Sequence, residues 1–411
     1  MVDAAAGPPL FVLEEYRQVD GCALPEAVAH QLRRAAGTAL SVQRSDRPSE
    51  WTLKAGSVVG TISVPGARVL IKPKVDAANL FHLLGVSSTI VTRLDASFSY
   101  ARQPDLVESL GALFAEMVEQ ALAKGIVRRY VQVSDDLQTI RGRVSIQGQV
   151  RRGGLPLPVT CTFDEHTADI GLNRIVKAAV VALAPLTSSA RIRARLATLA
   201  GRLEEVGPLR PKDLAEEVAF TRLDRHMEAV ERLGRLILDG SSLRDDVGGV
   251  GASVFLVDMN RLFEEFIEER LRAELRHQLE VTGQRRVGLD DERRVGMRPD
   301  LVFSKARLPV FVGDAKYKLT TSGLGRDRDY YQLLAYCTSL GLDEGVLVYC
   351  RDDGDVPPTV VKVRNVDVQL HARAITLAGT PAEVDAEVRR LATWVLERVQ
   401  ARGSSSSVPA A

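Results

Sequence analysis

The sequence predicts a chain of mixed α/β class, an α+β multidomain protein with a β-rich beginning, a largely helical middle and a C-terminal α/β domain. Its 411 residues exceed the length of most single domains. Apolar and polar residues alternate up to about residue 75, and apolar residues recur at helical spacing from about residue 104. A stretch rich in Gly, Ser and Asp, 239–252, indicates a loop or boundary between the two halves.

Composition excludes several classes of protein. Hydrophobic residues make up 45% and charged residues 26%, and the formal net charge is +1, so any nucleic-acid surface must be a local patch. The four cysteines include no CxxC pair, which argues against a zinc site. No apolar run reaches the roughly 18–20 residues of a membrane helix, and no signal peptide is visible. We therefore expect a cytoplasmic protein without membrane contact.

The N-terminal domain is expected to span 1–103 and to consist mainly of strands, such as those in "WTLKAGSVVGTISVPGARVLIKPKV". The central region, 104–245, is expected to be mostly helical, with strands only in "VRRYVQVSDDLQTIRGRVSIQGQV". Its helices are predicted from apolar stripes near 104–124, in "IGLNRIVKAAVVALAPL", in "RIRARLATLAGRLEEVG" and at about 222–238.

The C-terminal domain is expected to span 246–400 and to end in a disordered tail, 401–411. A helix in "MNRLFEEFIEERLRAELRHQL" precedes two apolar strands. The following elements are a helix at 327–340, the strand "EGVLVYC", a strand near 359–371 and a helix at about 380–401.

Each of the two apolar strands carries an aspartate at one end. Asp300 precedes the strand Leu-Val-Phe, and Asp314 ends the strand Pro-Val-Phe-Val-Gly, with Lys316 two residues further on. On neighbouring strands the two carboxylates could hold one Mg²⁺ or Mn²⁺, with the backbone carbonyl of Ala315 as a third oxygen ligand. Lys316 shares a face with Asp314 and could orient a water or stabilise developing negative charge.

The helix before these strands offers a further acid. Glu264 falls at the margin of its apolar face and is the expected catalytic acid and additional metal ligand. Glu268 is a less favourable alternative, whereas Glu265 and Glu269 are expected to be solvated.

The run Pro299-Asp300 followed by Asp314-Ala315-Lys316 resembles the PD-(D/E)xK signature of nucleases. The alternative interpretation is a strand-end turn with a surface ion pair. Downstream, Gln332 and Tyr336 lie at QxxxY spacing, on one face of a helix. In the RecB-like branch of these nucleases that element borders the site, which makes both accessory candidates. An ordinary amphipathic helix with Tyr336 in the core is the alternative.

Over residues 10–395 the chain resembles the McrC family, the nuclease subunit of McrBC-type modification-dependent restriction systems. Five stretches carry the resemblance in the family's order: "VGTISVPGARVLIKPKVDAANLFHLL", "LQTIRGRV", "FDEHTADIGLNRIVKAA", "FLVDMNRLFEEFIEERL" and the two aspartate-bearing strands.

The resemblance implies a Mg²⁺-dependent endonuclease that cuts double-stranded DNA together with McrB, a separate AAA+ GTPase ring. The N-terminal part would engage that ring and stimulate its GTPase, and the C-terminal part would cut. The family's catalytic pattern maps onto Asp300, Asp314 and Lys316, with Glu264 as the helix acid. The chain contains no G-x-x-x-x-G-K-[ST] loop, so the NTPase must belong to another polypeptide.

Two other interpretations stay open: a non-catalytic adaptor that binds the ring, and a stand-alone RecB-like nuclease. Arg141 and Arg143, in the "RGR" element, are candidates for contact with DNA or the partner ring. The alternative for both is a solvated basic hairpin.

Overall fold

The computed structural model has the mixed α/β character that the sequence predicts. It describes residues 8–47, 49–84, 106–151, 153, 157–244, 252–290, 292, 294–317, 327–351 and 358–405. These residues form two compact units. The first unit groups 1–60, 66–104 and 256–411, and the second unit groups 61–65 and 105–255. The bounds of these two units do not coincide with the three segments expected from the sequence. The expected segments stay a prediction about how the function is divided along the chain.

The strands alternate with helices along most of the chain. They are β1 (Leu10–Glu14), β2 (Gln18–Ala23), β3 (Leu40–Arg44), β4 (Glu50–Ala55), β5 (Val58–Val64), β6 (Ala67–Lys72), β7 (Arg129–Leu137), β8 (Arg143–Val144), β9 (Val159–Thr167), β10 (Ser241–Arg244), β11 (Ala252–Asp258), β12 (Glu280–Thr282), β13 (Val287–Gly288), β14 (Gly296–Met297), β15 (Leu301–Lys305), β16 (Leu308–Lys316), β17 (Glu344–Arg351), β18 (Thr359–Lys362) and β19 (Gln369–Thr376).

The helices are longest in the middle and at the end of the chain. They are α1 (Glu26–Ala36), α2 (Ala77–Leu83), α3 (Leu106–Leu122), α4 (Ile146–Arg151), α5 (Gly171–Leu183), α6 (Ala190–Arg202), α7 (Pro211–Ala215), α8 (Glu228–Gly240), α9 (Met259–Leu275), α10 (Asp327–Leu340) and α11 (Pro381–Ser405). Among the described helices, none combines the length and the apolar character needed to cross a bilayer.

A six-stranded sheet in the order β12-β15-β16-β17-β19-β18 forms the centre of the first unit. Its inner strands β16, β17 and β19 run parallel, and β15 pairs antiparallel with β16. Helix α10 covers one face through Leu333, Tyr336 and Cys337. This helix approaches β17 so closely that a Cβ on Gly345 would lie 2.8 Å from the Cys337 sulfur. A glycine is therefore required at that crossing.

The N-terminal elements belong to the same unit as this sheet. Strand β1 pairs in parallel with β6. On α2, the Asn79 side-chain amide donates to the carbonyl oxygens of Leu377 and Gly379 at 2.6 and 2.8 Å. The ring of His82 lies 2.9 Å from the carboxylate of Asp385 on α11. These contacts explain why segments at opposite ends of the chain share one unit.

In the second unit, helices α3, α5, α6 and α8 pack together. Gly234 lets α8 approach α5, since a Cβ there would lie 3.3 Å from the Ile175 side chain. Asp169 precedes α5 and its carboxylate accepts hydrogen bonds from the Arg174 guanidinium at 2.7 and 2.9 Å. The β7-β9-β8 sheet completes the unit.

Several expectations from sequence need correction. Helix α1 lies in the region expected to be β-rich, with Ala29, Leu32 and Ala36 buried at helical spacing. The loop expected at 239–252 is wrong for the described residues of that stretch. Residues 239 and 240 end α8, 241–244 form β10, which pairs antiparallel with β11, and β11 begins at 252, while 245–251 lie outside the described residues. The strand expected near 359–371 is instead two, β18 and β19. Helix α11 extends to Ser405, into the tail expected to be disordered.

Candidate metal and catalytic site

Two adjacent antiparallel strands bring the two aspartates together. Asp300 immediately precedes β15, and Asp314 lies within β16. Because Leu301 pairs with Gly313, the register places the two carboxylates at the same end of the strand pair. The exposed fraction is 7% for Asp300 and 0% for Asp314. A buried carboxylate is costly unless a cation or donors compensate its charge.

Lys316 supplies the nearest positive charge. Its ammonium nitrogen lies 2.6 Å from Asp314 Oδ2 and 3.5 Å from Asp300 Oδ2. Side chains two residues apart on a strand project from the same face, which accounts for this arrangement. The structure thus brings Asp300, Asp314 and Lys316 into one cluster; their chemical roles stay a prediction.

Burial and like charges shift the pKa values in this cluster. Burial raises the pKa of the Asp314 carboxyl to about 8, and the negative charge of Asp300 adds to this. For Lys316, burial lowers the pKa, but the charges of Asp314 and Asp300 outweigh it, so the pKa lies above its usual value. The lysine is therefore protonated at neutral pH, a state that suits the predicted role of a cation and donor and does not suit a base.

Glu264 on α9 belongs to the same electrostatic group. It is half-buried, and burial together with the charge of Asp300 raises its pKa to about 7. Glu265 is exposed and pairs with Arg261. Glu268 accepts from the backbone amide of Gly283 at 2.7 Å, which gives it a structural role. Of the acids on this helix face, Glu264 best fits the predicted catalytic acid.

A backbone amide and a side-chain amide position the Asp300 carboxylate. Its Oδ2 accepts from the Ala315 amide at 3.0 Å, and its Oδ1 accepts from the Gln284 side chain at 3.1 Å. The carbonyl of a strand residue points to the same side as its amide. The Ala315 carbonyl, the predicted third oxygen ligand, therefore lies on the Asp300 side of β16. Gln284 was not predicted from sequence.

Gln332 and Tyr336 are paired on α10, as their spacing predicts. The Gln332 amide donates to the Tyr336 hydroxyl at 2.6 Å, and that hydroxyl donates to the Arg298 carbonyl at 3.2 Å. Burial, with the charge of Asp314 next, raises the pKa of Tyr336 to about 12. The pair thus holds the backbone two residues before Asp300, and Tyr336 is also part of the core as the alternative interpretation has it.

The residues of the cluster fit a divalent cation. Asp314 Oδ1 is buried and has no hydrogen-bond partner among the described residues. Across those residues, no group of three or more His, Cys, Asp or Glu side chains forms a ready metal cage. Mg²⁺ needs less than that, because it usually binds one or two carboxylates and keeps several waters. Asp300, Asp314 and the Ala315 carbonyl would hold it, with Glu264 as a further acid.

Arg141 and Arg143 belong to the second unit, whereas the cluster of Asp300, Asp314 and Lys316 belongs to the first. The Arg141 guanidinium stacks on the Phe163 ring, with its central carbon 4.1 Å from the ring centroid. Gly142 has φ +70° and leaves no room for a Cβ, which would lie 2.5 Å from the Thr162 carbonyl. Arg143 is exposed on β8. The backbone of the "RGR" element thus packs closely against β9, and Arg141 and Arg143 are both exposed to solvent.

A buried hydrogen bond next to Lys316 could not be predicted from the sequence. The Tyr317 hydroxyl, one residue beyond Lys316, donates to Glu15 Oε1 at 2.7 Å. Glu15 also accepts from the Lys74 amide at 2.8 Å. The Tyr16 hydroxyl donates to the Tyr317 carbonyl at 3.3 Å. The end of β16 is therefore held by the N-terminal turn of the chain.

Fold and site together define a mixed α/β protein with a carboxylate pair and a lysine at the ends of two central strands. The family model described as McrBC 5-methylcytosine restriction system component matches residues 53–350. The chain belongs to that family, which confirms the resemblance found in the sequence. No curated protein matches the chain.

Two solved structures are similar to the chain. One is a chain of the refined half-complex from the tetradecameric assembly of Thermococcus gammatolerans McrB AAA+ hexamers with bound McrC, at 22% identity and TM-score 0.57; the match covers 93% of this chain and 98% of that one. Another is a chain of the cryo-EM structure of the Thermococcus gammatolerans McrBC complex, at 23% identity and TM-score 0.43, covering 65% and 88%. The first likeness supports the fold over nearly the whole chain.

Proposed function

We propose that the chain is the DNA-cleaving subunit of a McrBC-like restriction system, a Mg²⁺-dependent endonuclease that acts on double-stranded DNA with a separate AAA+ GTPase ring and stimulates it. The observation that carries the proposal is the cluster of Asp300, Asp314 and Lys316. Asp314 is fully buried and its Oδ1 lacks a donor among the described residues. A structural ion pair alone would leave that oxygen unsatisfied.

Each residue of the cluster has a chemical task in phosphodiester hydrolysis. Bound Mg²⁺ would lower the pKa of a water and neutralise charge on the phosphate. Asp300 and Asp314 would hold that cation, and the Ala315 amide and the Gln284 side chain fix the Asp300 carboxylate. Lys316, protonated, donates to the oxygen that gains negative charge. Glu264, with a pKa of about 7, can accept or release a proton near neutral pH.

The second unit offers a surface for the partner ring. Among the described residues, seven large apolar side chains are exposed on and beside its β7-β9-β8 sheet: Tyr130, Val131, Ile140, Val144, Ile146, Val150 and Leu157. Exposed apolar groups in such number are typical of an interaction surface. The similar solved assembly contains McrC bound to McrB AAA+ hexamers. We infer that this part of the chain engages the ring and that the cytoplasm is where the two meet.

Two assays on each variant test the proposal: the NTPase rate of the partner and the cleavage of modified DNA. Lys316→Ala should stop cleavage and leave the stimulated NTPase rate near that of the unaltered protein. Arg141→Ala with Arg143→Ala should lower stimulation if the "RGR" hairpin faces the ring. Loss of both activities by a folded Lys316→Ala protein would contradict the division of labour, and a silent arginine pair would make that hairpin a solvated surface.

A further inference from the structure

A basic cavity lies at the opposite end of β15 from Asp300. It measures about 470 Å³ and opens where β12 pairs with β15; its lining includes Arg272, Arg276, Thr282, Ser304 and Lys305. A neighbouring cavity of about 330 Å³ shares Thr282 and Ser304 and adds Arg285 and Arg307. Both belong to the first unit, on the edge of the sheet that carries the catalytic cluster.

Positive charge dominates this edge. Arg276, Arg285, Lys305 and Arg307 are exposed, and none of them has an ion-pair partner within the described part of the chain. Arg272, in the same lining, pairs with Glu268. The single acid in the lining is Glu280. Cationic side chains that are not neutralised internally favour an anionic ligand.

A buried hydroxyl gives a second and independent indication. Ser304 is only 3% exposed and lines both cavities. Its hydroxyl has no hydrogen-bond partner among the residues that the structure describes. Leaving a buried polar group without a partner is unfavourable, so this hydroxyl favours an acceptor that none of the described residues supplies.

A tight turn follows Ser304. Lys305 pairs with Leu308, so Ala306 and Arg307 form the two-residue loop of the β15-β16 hairpin. Their φ values of 50° and 67° are those that a type I′ hairpin turn requires at both central positions. The turn places Lys305 and Arg307 together at the end of the hairpin.

We propose that this paired cavity binds backbone phosphates of the same DNA duplex that the cluster cuts. Ser304 is four strand residues from Asp300, or about 13 Å, which corresponds to about four base pairs of duplex. Guanidinium, ammonium and hydroxyl donors suit phosphate oxygens and carry no base specificity. The proposal rests on the proposed nuclease function and adds a sequence-independent DNA-binding site beside the cleavage site.

Equilibrium binding of the full chain to a short fluorescein-labelled duplex tests whether the cavity binds DNA phosphates. The measurement is made with EDTA present and with salt varied over about 50 to 200 mM. Lys305→Gln with Arg307→Gln should weaken binding about tenfold and lower the slope of log affinity against log salt by about 2, at about 0.9 for each phosphate that is no longer neutralised. Ser304→Ala should weaken binding severalfold and leave the slope unchanged.

The matched control removes two charges from the other edge of the same sheet. Lys362→Gln with Arg364→Gln alters exposed residues at the end of β18 and should leave slope and affinity unchanged. An unchanged salt slope in the variant that lacks Lys305 and Arg307 overturns the proposal. An equal loss of duplex affinity in the control variant overturns it too, as does the absence of duplex binding by the unaltered chain. The proposal is also overturned if Lys305→Gln with Arg307→Gln weakens only binding to the partner protein, because the cavity would then bind an acidic surface of that protein.

Asp314→Asn separates this proposal from the nuclease assignment. That variant should keep the salt slope of the unaltered chain, because the paired cavity is intact. Cleavage by Asp314→Asn would refute the proposed function without changing the slope measured at the cavity.

Discussion

Asp314→Asn should change how the stability of the metal-free protein depends on pH. The Asp314 carboxyl is fully buried, and burial, with the charge of Asp300 next, raises its pKa from 3.8 to about 8. Because the folded pKa lies above the unfolded one, the folded state binds more protons than the unfolded chain between those two values. The stability that this protonation provides is present below the unfolded pKa and is lost as pH rises through the folded pKa.

The size of the effect follows from the shift. Each unit of pKa corresponds to about 1.4 kcal/mol, so a shift of this size lowers the free energy of unfolding by on the order of 5 kcal/mol across the window. Asparagine does not titrate, and the variant should lack this component. Mg²⁺ binds the ionised carboxylate, so added Mg²⁺ should stabilise the unaltered protein more at about pH 8 than at about pH 6.

Urea unfolding followed by tryptophan fluorescence measures this directly. The two tryptophans, Trp51 and Trp394, both lie in the first unit and report on its unfolding. The free energy of unfolding would be compared in EDTA from about pH 5 to about pH 8.5. Asp367→Asn, at an exposed residue, serves as the control. Parallel pH curves for the unaltered protein and Asp314→Asn would refute the reasoning.

Three further outcomes are expected. Tyr317→Phe removes the donor to the buried Glu15 carboxylate and should cost about 1–3 kcal/mol in the free energy of unfolding, whereas Tyr331→Phe, 70% exposed, should cost nothing measurable. Glu264→Gln should slow cleavage about 10²-fold near neutral pH, and Glu265→Gln, on the solvent side of the same helix, should not; equal rates would remove Glu264 from the site. The isolated chain should cut DNA poorly, since it contains no G-x-x-x-x-G-K-[ST] loop and depends on the partner ring for NTP hydrolysis, and efficient GTP-independent digestion would favour a stand-alone nuclease.

The local periodicity of the sequence predicts the elements that carry the candidate site. The two aspartate-bearing strands and the helix at 327–340 are found where the patterns place them. The proximity of Asp314 and Lys316 follows from the two-residue repeat of a strand. The pairing of Gln332 with Tyr336 follows from the four-residue spacing of a helix.

Local sequence patterns could not predict the long-range contacts. Tyr317 and Glu15 are separated by 302 residues, and no local pattern relates them. The same holds for Gln284, which reaches Asp300 from a turn with φ of 52°. The sequence does contain the helical spacing of α1, in Ala29, Leu32 and Ala36. The alternation of apolar and polar residues in the neighbouring strands made that spacing hard to recognise.

The central claim is that Asp300 and Asp314 together hold one divalent cation on which cleavage depends. The measurement is Mn²⁺ binding by titration calorimetry, paired with cleavage of modified DNA in the presence of the partner ring. The unaltered protein and Asp367→Asn should bind one ion per chain at this site and cut. Asp300→Asn and Asp314→Asn should remain folded, bind the partner, lose the ion and fail to cut. Full cleavage by Asp314→Asn in metal-replete buffer would contradict the account.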